Sequence, residues 1–208
     1  MKRILVAYAT MAGSTGDVAQ AVGEEIARSG LQVDVLPLGG VKGLEAYDGV
    51  VLGGPMIMGW HRAALGFLRK HREAFRRIPL AVFVMGMSLT QTRETSVGGV
   101  PVYVDEKLPK PPEKEGRLNF RERYARLANY VRPILMATHP VKPVDIGVFG
   151  GRLEYGRLKW WAVLFVMLII QAPAGDRRNW TAIRLWAAGL PAALRLETPE
   201  ADRPAQVA

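Results

Sequence analysis

Short apolar runs alternate with amphipathic helical patterns over the first 150 residues of the chain. Five runs have the length of a strand, and they cover residues 3–8, 31–38, 49–53, 80–85 and 144–149. Uninterrupted apolar runs are typical of parallel strands covered on both faces, whereas residues 31–38 alternate as an edge strand does. Because helical patterns separate the runs, the chain is predicted to have an α/β fold with a doubly wound, five-stranded parallel sheet.

Residues 88–118 interrupt this alternation after the fourth strand. The segment is rich in glycine, proline and charge, and it includes the adjacent acids Asp105 and Glu106. A loop of this length is usually functional or partly disordered, so we expect a long loop insertion with both acids in solvent. Helical spacing resumes over residues 119–137, where Asn119 and Glu122 fit a capping box. Residues 1–194 are predicted to form a single domain, and the polar residues 195–208 a disordered tail.

A run of small and hydroxyl residues follows the first strand and directly opens a helix. It consists of Thr10, Met11, Ala12, Gly13, Ser14 and Thr15. Backbone N–H groups at a helix N-terminus favour an anion, hydroxyls can donate to phosphate oxygens, and glycine permits close approach. No lysine completes a nucleoside triphosphate loop, and the G-x-G-x-x-G pattern of dinucleotide folds is absent. The run therefore predicts a phosphate site, with a ligand-free N-cap and tight turn as the alternative.

A second candidate loop follows the third strand. Its residues are Pro55, Met56, Ile57, Met58, Gly59, Trp60 and His61. In open α/β sheets, ligands bind beyond the carboxyl ends of the strands, and Met and Trp offer polarizable, flat surfaces to an aromatic ring. The alternative for Trp60 is a hydrophobic staple leading into the next helix.

The segment Tyr8-Ala9-Thr10-x-x-Gly13-Ser14-Thr15 resembles the phosphate loop of flavodoxins. The wider chain, over about residues 1–190, resembles the flavodoxin-domain branch that includes menaquinone-dependent protoporphyrinogen oxidases. Three stretches show this narrower resemblance: residues 53–67, residues 149–155 with Trp160, and residues 175–180, which open the last helix.

The resemblance implies a flavodoxin-like fold that binds FMN. Residues 10–15 would hold its phosphate, residues 55–61 would line one side of the isoalloxazine, and the peptide between Met58 and Gly59 would approach its N5 edge. The other side of the ring would be lined by four residues after the fourth strand, which are Gly86, Met87, Ser88 and Leu89. The flavin does the redox chemistry, and the protein tunes its potential and access.

The function implied is that of a quinone-linked oxidase resembling protoporphyrinogen oxidase, with a quinone or a redox protein as partner and a porphyrinogen as substrate. One alternative is a flavodoxin-type electron carrier without its own substrate. Carriers of that family are typically acidic, whereas this chain has a net charge of +9. The other alternative is an FMN-free binding module of the same fold.

The amino-acid composition excludes several kinds of site. The chain of 208 residues contains no cysteine, which excludes disulfides, zinc–thiolate sites and iron–sulfur clusters and is compatible with a reducing cytoplasm. His61, His71 and His139 lack metal-ligand spacing, so no metal site is predicted. The positive charge lies after residue 60 and indicates an anionic partner or a solvated surface. No nucleic-acid motif accompanies it, so nucleic acid is not expected as a partner.

Residues 160–170 are an unbroken apolar run of 11 residues flanked by basic residues. A spanning helix needs about 20, so the run is predicted to be either a buried core element or a helix in the membrane plane. Arg69, Lys70, Arg72, Arg76 and Arg77 form a second basic cluster, suited to anionic lipid, to porphyrin propionates or to solvent. We therefore expect a cytoplasmic protein, with peripheral binding to the inner face of the membrane as a hypothesis.

Overall fold

The computed structural model describes residues 1–11, 13–56, 59–114, 116–153 and 175–196. Within them, the strands are β1 (Arg3–Tyr8), β2 (Gln32–Pro37), β3 (Gly49–Pro55), β4 (Leu80–Gly86), β5 (Leu89–Thr90), β6 (Ser96–Val97), β7 (Val100–Val104), β8 (Pro109–Lys110), β9 (Asp145–Gly150), β10 (Arg152–Leu153) and β11 (Gly175–Asp176). The α-helices are α1 (Ser14–Ala27), α2 (Arg62–Lys70), α3 (Phe120–Tyr124), α4 (Leu127–Thr138) and α5 (Trp180–Ala193).

The central sheet has the order β2-β1-β3-β4-β9-β7-β6, counted over the described residues. The five predicted strands pair with one another in parallel, and β2 lies at one edge as its alternating pattern indicated. The register pairs Tyr8 with Gly53, Gly53 with Phe83, and Gly86 with Gly150. The carboxyl ends of β1, β3, β4 and β9 therefore reach the same edge of the sheet, and the doubly wound α/β prediction is confirmed.

The insertion after β4 differs from the predicted loop, because it adds two strands to the sheet. β7 pairs in parallel with β9 through Val102 and Ile146, and β6 turns back antiparallel to β7. Val100 and Val102 are buried, so this short stretch has enough apolar surface to extend the sheet. Asp105, expected in solvent, is fully buried directly after β7, and that expectation is wrong. Its backbone N–H donates to the carbonyl of Val148 at 2.9 Å.

Helices cover both faces of the sheet. α1 and α5 pack on one face around Phe83, Phe149 and Trp186, whose rings meet edge to face. α2 and α4 pack on the other face. Two faces buried by helices explain why the strands are almost wholly apolar. Among the residues that the structure describes, no helix is long and apolar enough to cross a bilayer. The apolar run 160–170 and residues 197–208 lie outside them. The predicted disordered tail began at residue 195, but Leu196 is buried in the core.

The helical segment predicted over residues 119–137 is two helices, α3 and α4. Its capping box is confirmed, since Asn119 and Glu122 exchange side-chain-to-backbone hydrogen bonds. The break follows from β5: the N–H of Thr90 donates to the carbonyl of Ala125 at 2.9 Å, and its hydroxyl donates to the carbonyl of Glu122 at 2.6 Å. Thr90, which is distant in sequence, thus occupies two carbonyl groups that a continuous helix would use for its own hydrogen bonds.

A β-carbon added at Gly53 would lie 1.9 Å from the ring of Phe83, a fully buried residue of β4. Gly53→Ala should therefore destabilise the protein by about 2 kcal/mol or more, since overpacking forces the core to shift. Gly189→Ala is the matched control, because Gly189 is exposed in α5 with no atom within 4 Å of the added carbon. It should stabilise by about 0.5–1 kcal/mol. Urea unfolding measures both, and a Gly53→Ala protein as stable as the unmodified one would contradict the packing.

Asp145 begins β9 half-buried, where it accepts a hydrogen bond from Nε1 of Trp186 at 2.7 Å. Burial raises its pKa, and the Trp186 hydrogen bond opposes that rise. A raised pKa means that the folded state binds more protons than the unfolded chain, so this group favours folding less as pH rises above about 4.

Asp145→Asn should therefore stabilise the protein at pH 7 but not at pH 4. Asparagine keeps an acceptor for Trp186 and places no charge in the half-buried position. The measurement is the urea midpoint of both proteins at the two pH values. A gain of equal size at pH 4 and pH 7 would show that the carboxylate charge is not its cause.

Candidate functional site

Three loops meet at the carboxyl edge of the sheet, after β1, β3 and β4. These strands are neighbours, and hydrogen bonds join the loops where the strands end. The N–H of Ala9 donates to the carbonyl of Gly53 at 2.9 Å, and that of Met56 donates to the carbonyl of Met85 at 2.8 Å. The structure therefore brings together the three segments that the sequence singled out, in the place where open α/β sheets bind ligands.

The first loop forms a tight turn into α1. The hydroxyl of Thr10 accepts from the N–H of Gly13 at 2.8 Å, and the carbonyl of Gly13 accepts from the N–H of Gly16 at 2.9 Å. Gly13 is the N-cap with φ +90°, a conformation that favours glycine, and no side chain in the described part of the chain caps the helix. The first turn of α1 thus lacks the side-chain acceptor that most helix starts have, and an anion can take that place.

The predicted phosphate residues differ in exposure. Thr15 is buried, Ser14 is half-buried, and Thr10 and Met11 are exposed. Ala12 lies outside the described residues. Each hydroxyl of this set belongs to the turn or to the first turn of α1, so the hydroxyls share one end of one helix. Their contact with a phosphate stays a prediction.

The second loop turns two of its large side chains inward. Trp60 is 3% exposed, and its Nε1 donates to the carbonyl of Gly54 at 3.2 Å. Met56 is also buried and forms an isolated β-bridge with Trp60. This arrangement favours the alternative interpretation of Trp60 as a packing residue that leads into α2. Pro55 and Gly59 are only half-buried, so they are the described residues of the loop's tip that can face a flat ligand.

His61 and Gly59 have defined backbone roles in the same loop. Nδ1 of His61 accepts from the N–H of Ala63 at 3.2 Å and so caps α2. Burial lowers the pKa of His61, which agrees with a neutral ring acting as acceptor at pH 7. Gly59 has φ +93°, and a β-carbon there would meet no described residue other than its chain neighbours. Ile57 and Met58 lie outside the described residues.

The third loop is held by its neighbours through its backbone. The hydroxyl of Tyr130 donates to the carbonyl of Ser88, and the carbonyl of Gly86 accepts from the N–H of Gly151 at 2.7 Å. A β-carbon at Gly86 would lie 2.7 Å from the Tyr130 ring, so only glycine fits beside it. Leu89 is buried in the core, while Met87 and Ser88 are half-buried and able to face a ligand.

One further segment reaches this edge, and no sequence pattern indicates its contacts. Nη1 of Arg177 donates to the carbonyl of Met87 at 2.8 Å, and Arg178 pairs with Asp17 in the first turn of α1. The run of residues 175–180 was visible as part of the resemblance, but its partners are about 90 and 160 positions away in the chain. Only the folded structure shows that it joins the first and third loops.

The basic cluster of residues 69–77 lies at the opposite edge of the sheet. It occupies the end of α2 and the turn that leads into the amino end of β4. Strands of six or seven residues separate the two edges by about 20 Å. This position favours a solvated face or an anionic surface for the cluster, and its contact with porphyrin propionates stays a prediction. Within the described part of the chain, no group of His, Asp and Glu residues could hold a metal ion.

Comparison with known proteins agrees with this geometry. The model of the flavodoxin domain family matches residues 5–179. Protoporphyrinogen IX dehydrogenase (quinone) of Escherichia coli K12 is 24% identical over 177 residues, which cover 84% of this chain and 82% of the relative. A flavodoxin point mutant from Pseudomonas aeruginosa is 14% identical, with TM-score 0.47 over 93% of this chain and 99% of its own.

A second solved structure is a flavodoxin of Fusobacterium nucleatum bound to flavin mononucleotide. It is 23% identical, with TM-score 0.36 over 41% of this chain and 52% of its own. Since the family model spans most of the chain and the fold agrees with it, this protein belongs to the flavodoxin domain family, whose cofactor is FMN.

Proposed function

We propose that this protein is an FMN-dependent, quinone-linked oxidoreductase that oxidises a porphyrinogen-like substrate. The observation that supports it best is the meeting of three loops at one sheet edge, next to a helix start that has no side-chain cap. The quinone and the substrate class rest on the similarity to the Escherichia coli dehydrogenase, which extends over most of both chains.

The residues at this edge fit FMN. A phosphate would take the place of the missing cap at α1, held by backbone N–H groups and by the hydroxyls of Thr10, Ser14 and Thr15. The ring would lie between the loop after β3 and the loop after β4, where the half-buried residues able to meet it include Pro55, Gly59, Met87 and Ser88. FMN, when bound, supplies the transfer of electrons between substrate and quinone.

The chain's own residues fix and shape this site. No lysine or arginine belongs to the phosphate loop, so N–H and O–H donors must offset the phosphate charge. Gly59 keeps a left-handed conformation that other residues adopt at a cost. Among the described residues other than its chain neighbours, no atom lies within 4 Å of where a β-carbon would be. The backbone at this position can therefore change orientation without a side-chain clash.

Basic residues near the site favour an anionic substrate. Arg62 is exposed at the first position of α2, directly after the second loop. Arg121 and Arg123 are exposed on α3, which Thr90 joins to the third loop. Such charges raise the local concentration of an anion and speed its approach. The cluster at the opposite edge, residues 69–77, is left for solvent or for an anionic membrane surface.

Replacing the two helix-start hydroxyls tests the phosphate site. Ser14→Ala with Thr15→Val should weaken FMN binding about 100-fold, since each hydrogen bond to a charged group contributes about 1.5–3 kcal/mol. Riboflavin, which lacks the phosphate, should bind unchanged. Valine preserves the shape of buried Thr15. The measurement is quenching of flavin fluorescence on titration with each ligand.

Ser29→Ala is the matched control, because its hydroxyl donates to the carbonyl of Ile26 at the other end of α1. It should leave both affinities unchanged. Equal FMN affinity in the double variant and the unmodified protein would contradict the phosphate-loop assignment. If the unmodified protein does not bind FMN, that result would favour the alternative function of an FMN-free binding module.

The quinone-linked role predicts which oxidant the reduced protein prefers. Protein loaded with FMN and reduced under anaerobic conditions should be reoxidised faster by menadione than by oxygen at equal concentration. Stopped-flow absorbance of the flavin measures both rates, and a porphyrinogen added with the quinone should yield fluorescent porphyrin. Fast reoxidation by a redox protein, without any preference for quinone and without porphyrin, would favour an electron carrier.

A further inference from the structure

Consecutive arginines before α5 contact both sides of the FMN site proposed above. We propose that Arg178 is a positioning residue for the phosphate side, acting by neutralising Asp17, and that Arg177 positions the loop on the ring side. This inference rests on the proposed function, because it concerns the same cofactor. Arg177 and Arg178, with Asn179, are called the arginine brace below.

The side chain of Arg178 is buried and lies between two carboxylates. Its side chain is 5% exposed, and its Nη1 donates to Oδ2 of Asp17 at 2.8 Å. Its Nε donates to both carboxylate oxygens of Asp176 at 2.9 and 3.1 Å, and its Nη2 donates to Oδ2 of the same residue. The guanidinium carbon lies 4.6 Å from the ring centroid of Trp180. Each of the three guanidinium nitrogens thus donates to a carboxylate of Asp17 or Asp176, so we argue the effect of Arg178 on a phosphate through Asp17.

Asp17 explains why such a cation is needed. It lies in the first turn of α1, the turn whose N-terminus is to hold the phosphate. A carboxylate there stabilises the helix by itself, but it repels an anion that uses the same N–H groups. Pairing with Arg178 neutralises the carboxylate and turns it toward α5. Asp17 is 58% exposed, so solvent screens the repulsion, and the effect is a matter of several-fold in affinity.

Arg177 acts on the other side of the site. Its Nη1 donates to the carbonyl of Met87 at 2.8 Å, and its N–H donates to the carbonyl of Gly151 at 3.0 Å. A β-carbon at Gly150 would lie 2.1 Å from the Arg177 carbonyl oxygen, so the brace is pressed against the end of β9. The orientation of the Met87 peptide thus depends on Arg177.

Asn179 ties the brace to the insertion. Its Nδ2 donates to Oδ1 of Asp105 at 2.9 Å, and its own Oδ1 accepts from the N–H of Ala182 as the N-cap of α5. Asp105 is fully buried and also accepts from the N–H of Lys107 at 3.1 Å. Neighbouring residues of one short segment therefore contact α1, the third loop and the insertion, which leaves the arginines little freedom to move.

The test compares FMN with riboflavin, because these ligands differ only by the phosphate. Arg178→Met should raise the Kd of FMN about 3- to 10-fold and leave that of riboflavin unchanged. Asp17→Asn added to that variant should bring the FMN Kd back to within about 2-fold of the unmodified protein. Arg177→Met should raise both Kd values by the same factor. Fluorescence titration gives the Kd values, and thermal unfolding gives the stability of each apoprotein.

Arg184→Met is the matched control. Arg184 also joins α5 to α1, through Glu24 and Glu25 at 3.7 Å, but at the far end of α1. It should leave the FMN-to-riboflavin ratio unchanged, whatever it does to thermal stability. Arg178→Lys, which retains the positive charge, should keep most of the preference for FMN.

Several outcomes would overturn the proposal. If Arg178→Met weakens FMN and riboflavin equally, Arg178 has a general structural role. If the ratio is unchanged while the unmodified protein binds FMN, the brace proposal fails and the proposed function stands. If Arg178→Met does not fold, Asp17→Asn alone tests the proposal. If Arg178 already neutralises Asp17, this variant changes the FMN-to-riboflavin ratio of Kd values by less than about 2-fold. A several-fold gain in FMN affinity refutes the proposal. An unmodified protein without FMN affinity refutes both proposals.

Discussion

The parallel register of β1, β3, β4 and β9 is the constraint on which the site depends. Parallel strands that start together also end together, so the loops after them must share one edge. Two of these strand ends need glycine because an aromatic ring packs against the backbone there. Gly53 faces Phe83, and Gly86 faces Tyr130. Larger side chains there would push apart the layers that hold the loops in place. The packing of the core and the geometry of the site are thus one arrangement.

The parts that the sequence predicted well are those decided by local pattern. The five parallel strands, the edge position of β2 and the capping box of α3 each follow from residues within one short segment. The first loop has the turn that its glycine and Thr10 indicated. FMN as cofactor came from the resemblance, and membership of the flavodoxin domain family supports it. Features that depend only on residues close together in the chain could therefore be predicted from the sequence.

The parts that it missed depend on partners far away in the chain. Asp105 looks solvated beside Glu106, yet it is buried because β7 joins the sheet and Asn179 reaches it from 74 positions away. The predicted helix over residues 119–137 breaks because Thr90 engages carbonyls within it. For Trp60 the sequence leaves open a flat-ligand surface or a hydrophobic staple, and its burial and its hydrogen bond to the carbonyl of Gly54 favour the staple. The spacing of apolar and polar residues along the sequence does not indicate any of these contacts.

The positions of the charged residues in the fold could not be predicted from the sequence either, and they bear on how the site would hold a phosphate. The net charge of +9 indicates an anionic partner or a solvated surface, and the basic cluster of residues 69–77 lies at the edge opposite the three loops. At the phosphate loop itself the nearest formal charge on α1 is negative, at Asp17. A helix start without lysine, with an acid in its first turn, would be a poor anion site if that acid were free. Arg178 removes this difficulty from a distant part of the chain, because it holds Asp17 and Asp176 together against Trp180. The affinity of the loop for a phosphate is therefore a property of how α5 docks on α1, as much as of the loop's own residues.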